Sequence, residues 1–362
     1  MDRTRGARRT DGRCRHRQRQ HRPNGPQPDR LAWLRHTAPV GSGCRHRAGG
    51  RGHPYNRAAM IIDAHTRTWP GLDNLGIELS APVRRLSGSL PIDASPAALE
   101  RATEPLAGAI IHGFRADRVG ANIPNDALID AVRQGNGRYV GIAGIDPTSD
   151  DAWDEFRRCT DLGLFGICVS PAMQGFLPTD ASAMRLFEQC AADGLPVFVS
   201  RPAPYTRNAA IGHDRPTAWT DTMRQLPRLK VIFSGMGWPW IDECVAMLTA
   251  FENAWTDTSG IVSQPWMLYN AMLSAVQHGV ADRVLFASGW PYANPKAAAE
   301  AVYGLGSFAL ATPLPRIQRV VLREIVERDT YGALKIPEPA TLIRRPADAR
   351  FGFLGRTPGA AR

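Results

Sequence analysis

The chain has no Cys-x-x-Cys pair, and its six cysteines (Cys14, Cys44, Cys159, Cys168, Cys190 and Cys244) stand at no zinc-ligand spacing with histidine. In a chain of 362 residues this speaks against a zinc ribbon or a disulfide scaffold. Reduced, structural thiols and a cytoplasmic location are expected. No apolar run is long enough to span a bilayer, so a soluble protein with no membrane partner is expected. Neither a GxSxG elbow nor a P-loop occurs, which leaves serine-hydrolase and phosphate-cradle readings without a motif. No sequence repeat of 20–50 residues is present either.

Residues 1–59 have almost no aliphatic runs, no lysine and 3 acidic residues, against 15 arginines. Their net charge of +12 exceeds the chain's +10, so the remainder is close to neutral at −2. The stretch MDRTRGARRTDGRCRHRQRQHRPNGPQP cannot bury enough apolar surface to offset the entropy of ordering. It also lacks the apolar segment of a secretory signal and the amphipathic period of a transit peptide. Aromatic interleaving is limited to Trp33 and Tyr55, so a nucleic-acid partner is not expected. Residues 1–59 are read as a disordered Arg-rich leader, or as sequence upstream of a true start at Met60.

From Met60 onward, short apolar runs alternate with helical segments. The runs are MIIDAH (60–65), AGAIIHGF (107–114), YVGIAGID (139–146), LFGICVS (164–170), PVFVS (196–200), KVIFSG (230–235), AWTDTS (254–259) and RVLFAS (283–288). Near-continuous apolarity suits parallel strands covered on both faces. Helical spacing recurs at 95–103, 125–133, 180–192 and 238–251. Asp180 and Ser182 favour one helix start, and Pro239 the first turn of another. Eight βα units predict an α/β fold, a (β/α)8 TIM barrel over residues 60–336, with a Pro- and Arg-rich tail at 337–362. In such a barrel the site lies at the C-terminal strand ends. That rule selects His65, Arg67, His112, Arg115, Asp146, Ser170, Ser200, Arg201, Ser234, Gly235, Met236, Asp257, Ser259, Ser288, Gly289 and Trp290.

The segments IIDAH, VGIAGIDP, GLFGICVSPAMQGFLPTD, LPVFVS, LKVIFSGMGWPWIDE, AWTDTSG and RVLFASGWPYANP together resemble the amidohydrolase-related family. This is the branch that includes aminocarboxymuconate-semialdehyde decarboxylase. The resemblance implies a metal-dependent-hydrolase type of barrel, C–C or C–N bond cleavage, and dimers. It also implies a metal held by two His of the first strand, a His after the fifth, often one near the sixth, and an Asp after the eighth. Carried over position by position, His65 is retained, while Arg67, Ser200 (followed by Arg201), Gly235 and Gly289 stand at the other places.

Gly, Ser and Arg side chains do not make up the roughly three donors that catalytic zinc needs. Arg67 also lies on the same strand face as His65, where its charge repels a cation. No cofactor is therefore expected; the alternative is a divalent metal such as zinc, in a site using His65, His112 and His213. The leading expectation is a barrel without its metal centre, serving as a partner subunit or binding a small carboxylate or carbonyl compound. Its ligand contacts would come from Arg67, Arg201, His112, Ser200, Trp290 and Asp257, with His65 as a candidate base. A homodimer, or a heterodimer with an active paralogue, is the expected assembly. The alternative is an active hydrolase or decarboxylase with a rebuilt site. Two fates stay open for Arg67 and Arg201: an ion pair with Asp63 or Asp257, or a ligand carboxylate. Trp69, Trp238, Trp240 and Trp290 are candidates for pocket walls or for core.

Overall fold

The computed structural model describes residues 60–87, 92–337 and 339–343. The leader at 1–59 and most of the tail lie outside the described residues. The described residues form ten strands: β1 (Ile62–Thr66), β2 (Gly108–His112), β3 (Phe114–Ala116), β4 (Ala121–Ile123), β5 (Tyr139–Gly144), β6 (Ile167–Val169), β7 (Val197–Val199), β8 (Val231–Phe233), β9 (Ala254–Asp257) and β10 (Val284–Leu285). Eight of them form one parallel sheet in the order β1-β2-β5-β6-β7-β8-β9-β10. The sheet curls until its two ends meet. Ala64 N donates to Phe286 O at 2.9 Å, Gly289 N to His65 O at 3.1 Å, and Arg67 N to Trp290 O at 3.0 Å. The expected (β/α)8 barrel is the observed fold.

Every residue of β1, β2 and β5 is buried, as strands covered by helices outside and packed side chains inside require. The surrounding helices are amphipathic, and several start on a side-chain cap. Ser95 Oγ accepts from Ala98 N ahead of Pro96–Thr103. Asn294 Oδ1 accepts from Lys296 N and Ala297 N ahead of Pro295–Phe308. Each satisfies amides that a helix start leaves without partners.

Three local expectations are corrected. The helix read over 238–251 runs over Ile241–Ala250, so Pro239 precedes it, in a cis Trp238–Pro239 peptide. Asp180 does stand at the start of Ala181–Asp193, but its carboxylate turns back to accept from Leu177 N at 2.8 Å instead of capping the helix. The run 107–114 is also not one strand. It breaks at Gly113, after which β3 and β4 form a separate antiparallel hairpin. Of the tail, Pro339–Ile343 forms a short helix whose Leu342 joins the core. Among the described residues no helix is long and apolar enough to cross a membrane.

Candidate functional site

A cavity of about 930 Å³ opens at the C-terminal ends of the strands. His65, Arg67, Ser200, Ser234, Ser259 and Ser288 line its polar floor, and Arg201, Trp238, Trp290 and Tyr292 are among its walls. A far wall from Ile92, Asp93, Ala98, Arg101 and Ala102 completes it.

His65 leaves β1 with its ring held on three sides. Nδ1 lies 3.3 Å from Asp257 Oδ2, 3.2 Å from Ser234 Oγ and 3.3 Å from Ser259 Oγ. Nε2 lies 3.2 Å from Ser200 Oγ. Its face stacks on His112 at 4.0 Å, with the rings 8° from parallel. Burial lowers the His65 pKa from its ordinary value, Asp257 works against that, and Arg67 adds to it. The ring is therefore held neutral near pH 7.

Asp257, the last residue of β9, is fully buried. Its Oδ1 accepts from Gly235 N and Ser259 N, both at 2.9 Å, and from Ser259 Oγ at 2.5 Å. Burial raises its pKa, but these donors together with His65 outweigh burial and hold it below the ordinary carboxylate range. Asp63 shows the opposite balance. Its Oδ1 accepts from His65 N at 3.1 Å and Ser288 N at 3.0 Å, while Oδ2 has no partner. Burial dominates, and its carboxyl is pushed up to about 7.

Arg67 is 1% exposed. Nη2 donates to Ser200 Oγ at 2.7 Å and reaches Cys168 Sγ at 3.5 Å; Nη1 donates to Gly113 O at 3.1 Å. The guanidinium carbon sits 5.6 Å from the centre of the Phe114 ring, and Nε is without a partner. Neither Asp63 nor Asp257 pairs with it, because the first is taken by backbone amides and the second by His65. Arg201 avoids both as well. It stacks over Tyr205 at 4.0 Å and reaches Tyr205 Oη at 3.2 Å and Trp238 O at 3.4 Å.

Of the expected ligand contacts, His65, Arg67, Ser200, Arg201 and Trp290 line the cavity. His112 and Asp257 are not among its lining residues. His112 lies beneath His65, with Nε2 donating to Ala64 O at 3.0 Å, and Asp257 lies behind the same ring. Arg115, Asp146 and Ser170 serve loops. Arg115 binds Asp117 and Asp151, Asp146 accepts from Thr148 and Asp117 N, and Ser170 Oγ donates to Asp214. Trp69 and Trp240 are also away from the cavity. The far wall on Pro96–Thr103 and the carboxylate-to-imidazole contact escaped sequence reasoning. No local spacing signals either of them.

The donors around this cavity do not fit a divalent metal. Gly235 and Gly289 offer no side chain, and both have left-handed backbones, φ 64° and 71°. A Cβ on Gly235 would lie 2.7 Å from Ser259 O. His65 and His112 are stacked with near-parallel rings, so their nitrogens do not converge on one point. His213 donates to or accepts from nothing near them; its Nδ1 meets Phe176 O at 2.9 Å. Among the described residues no group of three His, Cys, Asp or Glu is placed to hold a metal ion.

The family model named Amidohydrolase matches residues 62–324. This chain belongs to the amidohydrolase family. The resemblance read from the strand-end motifs is thereby borne out. No curated protein matches the chain. Among solved structures it is similar to an uncharacterized TIM-barrel protein from Bordetella bronchiseptica, at 18% identity and TM-score 0.57, covering 78% of this chain and 99% of that one. It is similar to a probable 2-pyrone-4,6-dicarboxylic acid hydrolase from Acinetobacter baumannii with citric acid bound, at 14% identity and TM-score 0.52, covering 76% and 99%. It is also similar to 5-carboxyvanillate decarboxylase from Sphingomonas paucimobilis, at 19% identity and TM-score 0.51, covering 77% and 99%. At these identities the likeness speaks for the fold.

Proposed function

We propose that this amidohydrolase-family barrel binds a small carboxylate or carbonyl compound without the family's metal centre. Arg67 carries the reading. It is a buried guanidinium on the cavity floor, hydrogen-bonded to neutral groups and paired with no carboxylate among the described residues. A buried charge without a counter-ion is costly, and a ligand carboxylate would supply one through charge-assisted hydrogen bonds. Arg201 at the wall offers a second cation. The names of two structural neighbours, a dicarboxylic acid hydrolase with citric acid bound and a carboxyvanillate decarboxylase, are in keeping with carboxylate ligands.

The test is thermal melting with a panel of small mono-, di- and tricarboxylates. A ligand at about 100 times its Kd stabilises by about 2.7 kcal/mol, which raises Tm by several degrees. Arg67→Ala should abolish the rise and Arg201→Ala should reduce it. Absence of any rise would overturn carboxylate binding and favour a partner-subunit role. Stoichiometric metal retained after zinc exposure, measured by elemental analysis, would overturn the metal-free part.

A second reading is an active hydrolase or decarboxylase with a rebuilt site. The 3.3 Å contact between His65 Nδ1 and Asp257 favours it, because that contact orients a neutral imidazole as a general base.

A further inference from the structure

Two cavity-floor groups, and a carboxylate behind them, form a proton path that no local motif announces. Ser200 Oγ lies 3.2 Å from His65 Nε2, and His65 Nδ1 lies 3.3 Å from Asp257 Oδ2. The donors and acceptors fix where the protons sit. A guanidinium can only donate, so Ser200 Oγ accepts from Arg67 Nη2 at 2.7 Å. The hydroxyl's own hydrogen is then free for His65 Nε2, its other partner. Nε2 is thus the acceptor and Nδ1 carries the ring proton, facing Asp257. Asp257 Oδ1 is occupied by Gly235 N, Ser259 N and Ser259 Oγ, which leaves Oδ2 for the imidazole. The roles run carboxylate, imidazole, hydroxyl, and such a triad is recognised by geometry and not by residue order.

We propose that Ser200 is a nucleophile served by His65 and Asp257, and that the cavity hydrolyses esters of small carboxylic acids through an acyl-serine. This rests on the rebuilt-site reading above and gives it a chemistry. Ser200 lines the cavity, so an ester carbonyl can reach Oγ. As Oγ bonds to the acyl carbon, its proton passes to His65 Nε2, and Asp257 stabilises the imidazolium. The carbon–alkoxy bond then breaks, and its electron pair leaves on the alcohol oxygen, which takes the proton back from Nε2. Water next gives a proton to Nε2 as its oxygen bonds to the acyl carbon. The carbon–Oγ bond breaks, Ser200 regains the proton, and the free acid is released. Arg67 Nη2 donates to Oγ and so leaves the hydroxyl's hydrogen directed to His65 Nε2. The released carboxylate is also the ligand class that Arg67 suits.

The experiment treats the full chain with diisopropyl fluorophosphate, followed by intact mass and peptide mapping, and assays p-nitrophenyl acetate hydrolysis in parallel. The expected result is a single phosphoryl adduct on the Ser200 peptide, with Ser200→Ala losing both the adduct and turnover. His65→Gln and Asp257→Asn should each slow labelling at least 100-fold, and circular dichroism and melting would show which variants remain folded. Ser200→Cys should redirect labelling to iodoacetamide at residue 200, a check independent of the other two variants. No adduct, an adduct on another residue, or hydrolysis persisting in Ser200→Ala would overturn the proposal. If carboxylates still raise Tm in that case, the binding reading survives; if they do not, both fail.

Discussion

Arg67 Nη2 donates to Ser200 Oγ at 2.7 Å, and Ser200 Oγ in turn reaches His65 Nε2 at 3.2 Å. One hydroxyl thus bridges a permanent cation and a neutral imidazole at the bottom of the cavity. The guanidinium's other partners, Gly113 O and Cys168 Sγ, are neutral as well. Its charge is desolvated and locally uncompensated, a state that folding alone would not favour.

It follows that Arg67→Met should not lower ligand-free stability much. Removing the charge relieves its burial cost, which offsets the lost bonds to Gly113 O and Ser200 Oγ. The expected melting temperature in carboxylate-free buffer is at or above that of the parent chain. A loss of more than about 2 kcal/mol would make the guanidinium a structural anchor instead of a ligand site.

Asp63 gives a pH signature. Its carboxyl is pushed up to about 7 in the fold by burial, from 3.8 in a free side chain. Between those values the native state keeps a proton that the unfolded chain has released. This contribution is therefore fully present below pH 4, declines as pH rises, and is gone above about pH 7. The slope is about 1.4 kcal/mol per pH unit at most. Asp63→Asn keeps an acceptor for His65 N and Ser288 N but cannot titrate. Subtracting its stability from that of the parent between pH 4 and 7 should leave a difference that falls with pH; a flat difference would refute the assignment. Using the difference cancels His65, whose lowered pKa acts with the opposite sign over the acid range.

The barrel was legible because eight apolar runs separated by helical segments leave few other ways to bury both faces of a parallel sheet. The strand-end rule also found His65, Arg67 and Ser200, since β-alternation tells which residues share a face. Depth was not legible. Asp257 stands at a strand end like the others, yet Ser259, two residues on, reaches the cavity while Asp257 stays behind His65. Whether Arg67 would pair with Asp63 or Asp257 was open for the same reason. One of the two backbone amides that hold Asp63, Ser288 N, lies 225 residues away, and no local pattern encodes that. Pro96–Thr103 was readable as a helix, but nothing in its own sequence places it beside the cavity.

Gly235 tests whether the missing side chain is replaceable. Its φ is 64°, and a Cβ there would meet Ser259 O at 2.7 Å, whereas a Cβ on Gly260, φ 71°, meets nothing within 4 Å. Both substitutions carry left-handed strain of about 1–2 kcal/mol, but only Gly235→Ala adds a backbone clash. It should therefore destabilise clearly more than Gly260→Ala in denaturant melts, and Gly235→His more still. Equal losses would mean that the loop relaxes and that a ligand could be restored there by one substitution.

His112 supports the His65 ring from beneath. It is fully buried, stacks on His65 at 4.0 Å, and meets the Phe198 ring edge-on at 4.4 Å. Burial, and then the neighbouring His65 and Arg67, lower its pKa well below the ordinary value, so it acts as a neutral aromatic plate. His112→Ala should cost about 2–4 kcal/mol, because it opens a cavity under His65. His112→Phe keeps the stack and loses only the hydrogen bond to Ala64 O, so it should cost about 1–2 kcal/mol. Melting each variant with and without carboxylate separates support from contact. Because His112 does not line the cavity, the carboxylate-induced rise in Tm should persist in His112→Phe. Its disappearance there, with the fold intact, would return His112 to the ligand's surroundings.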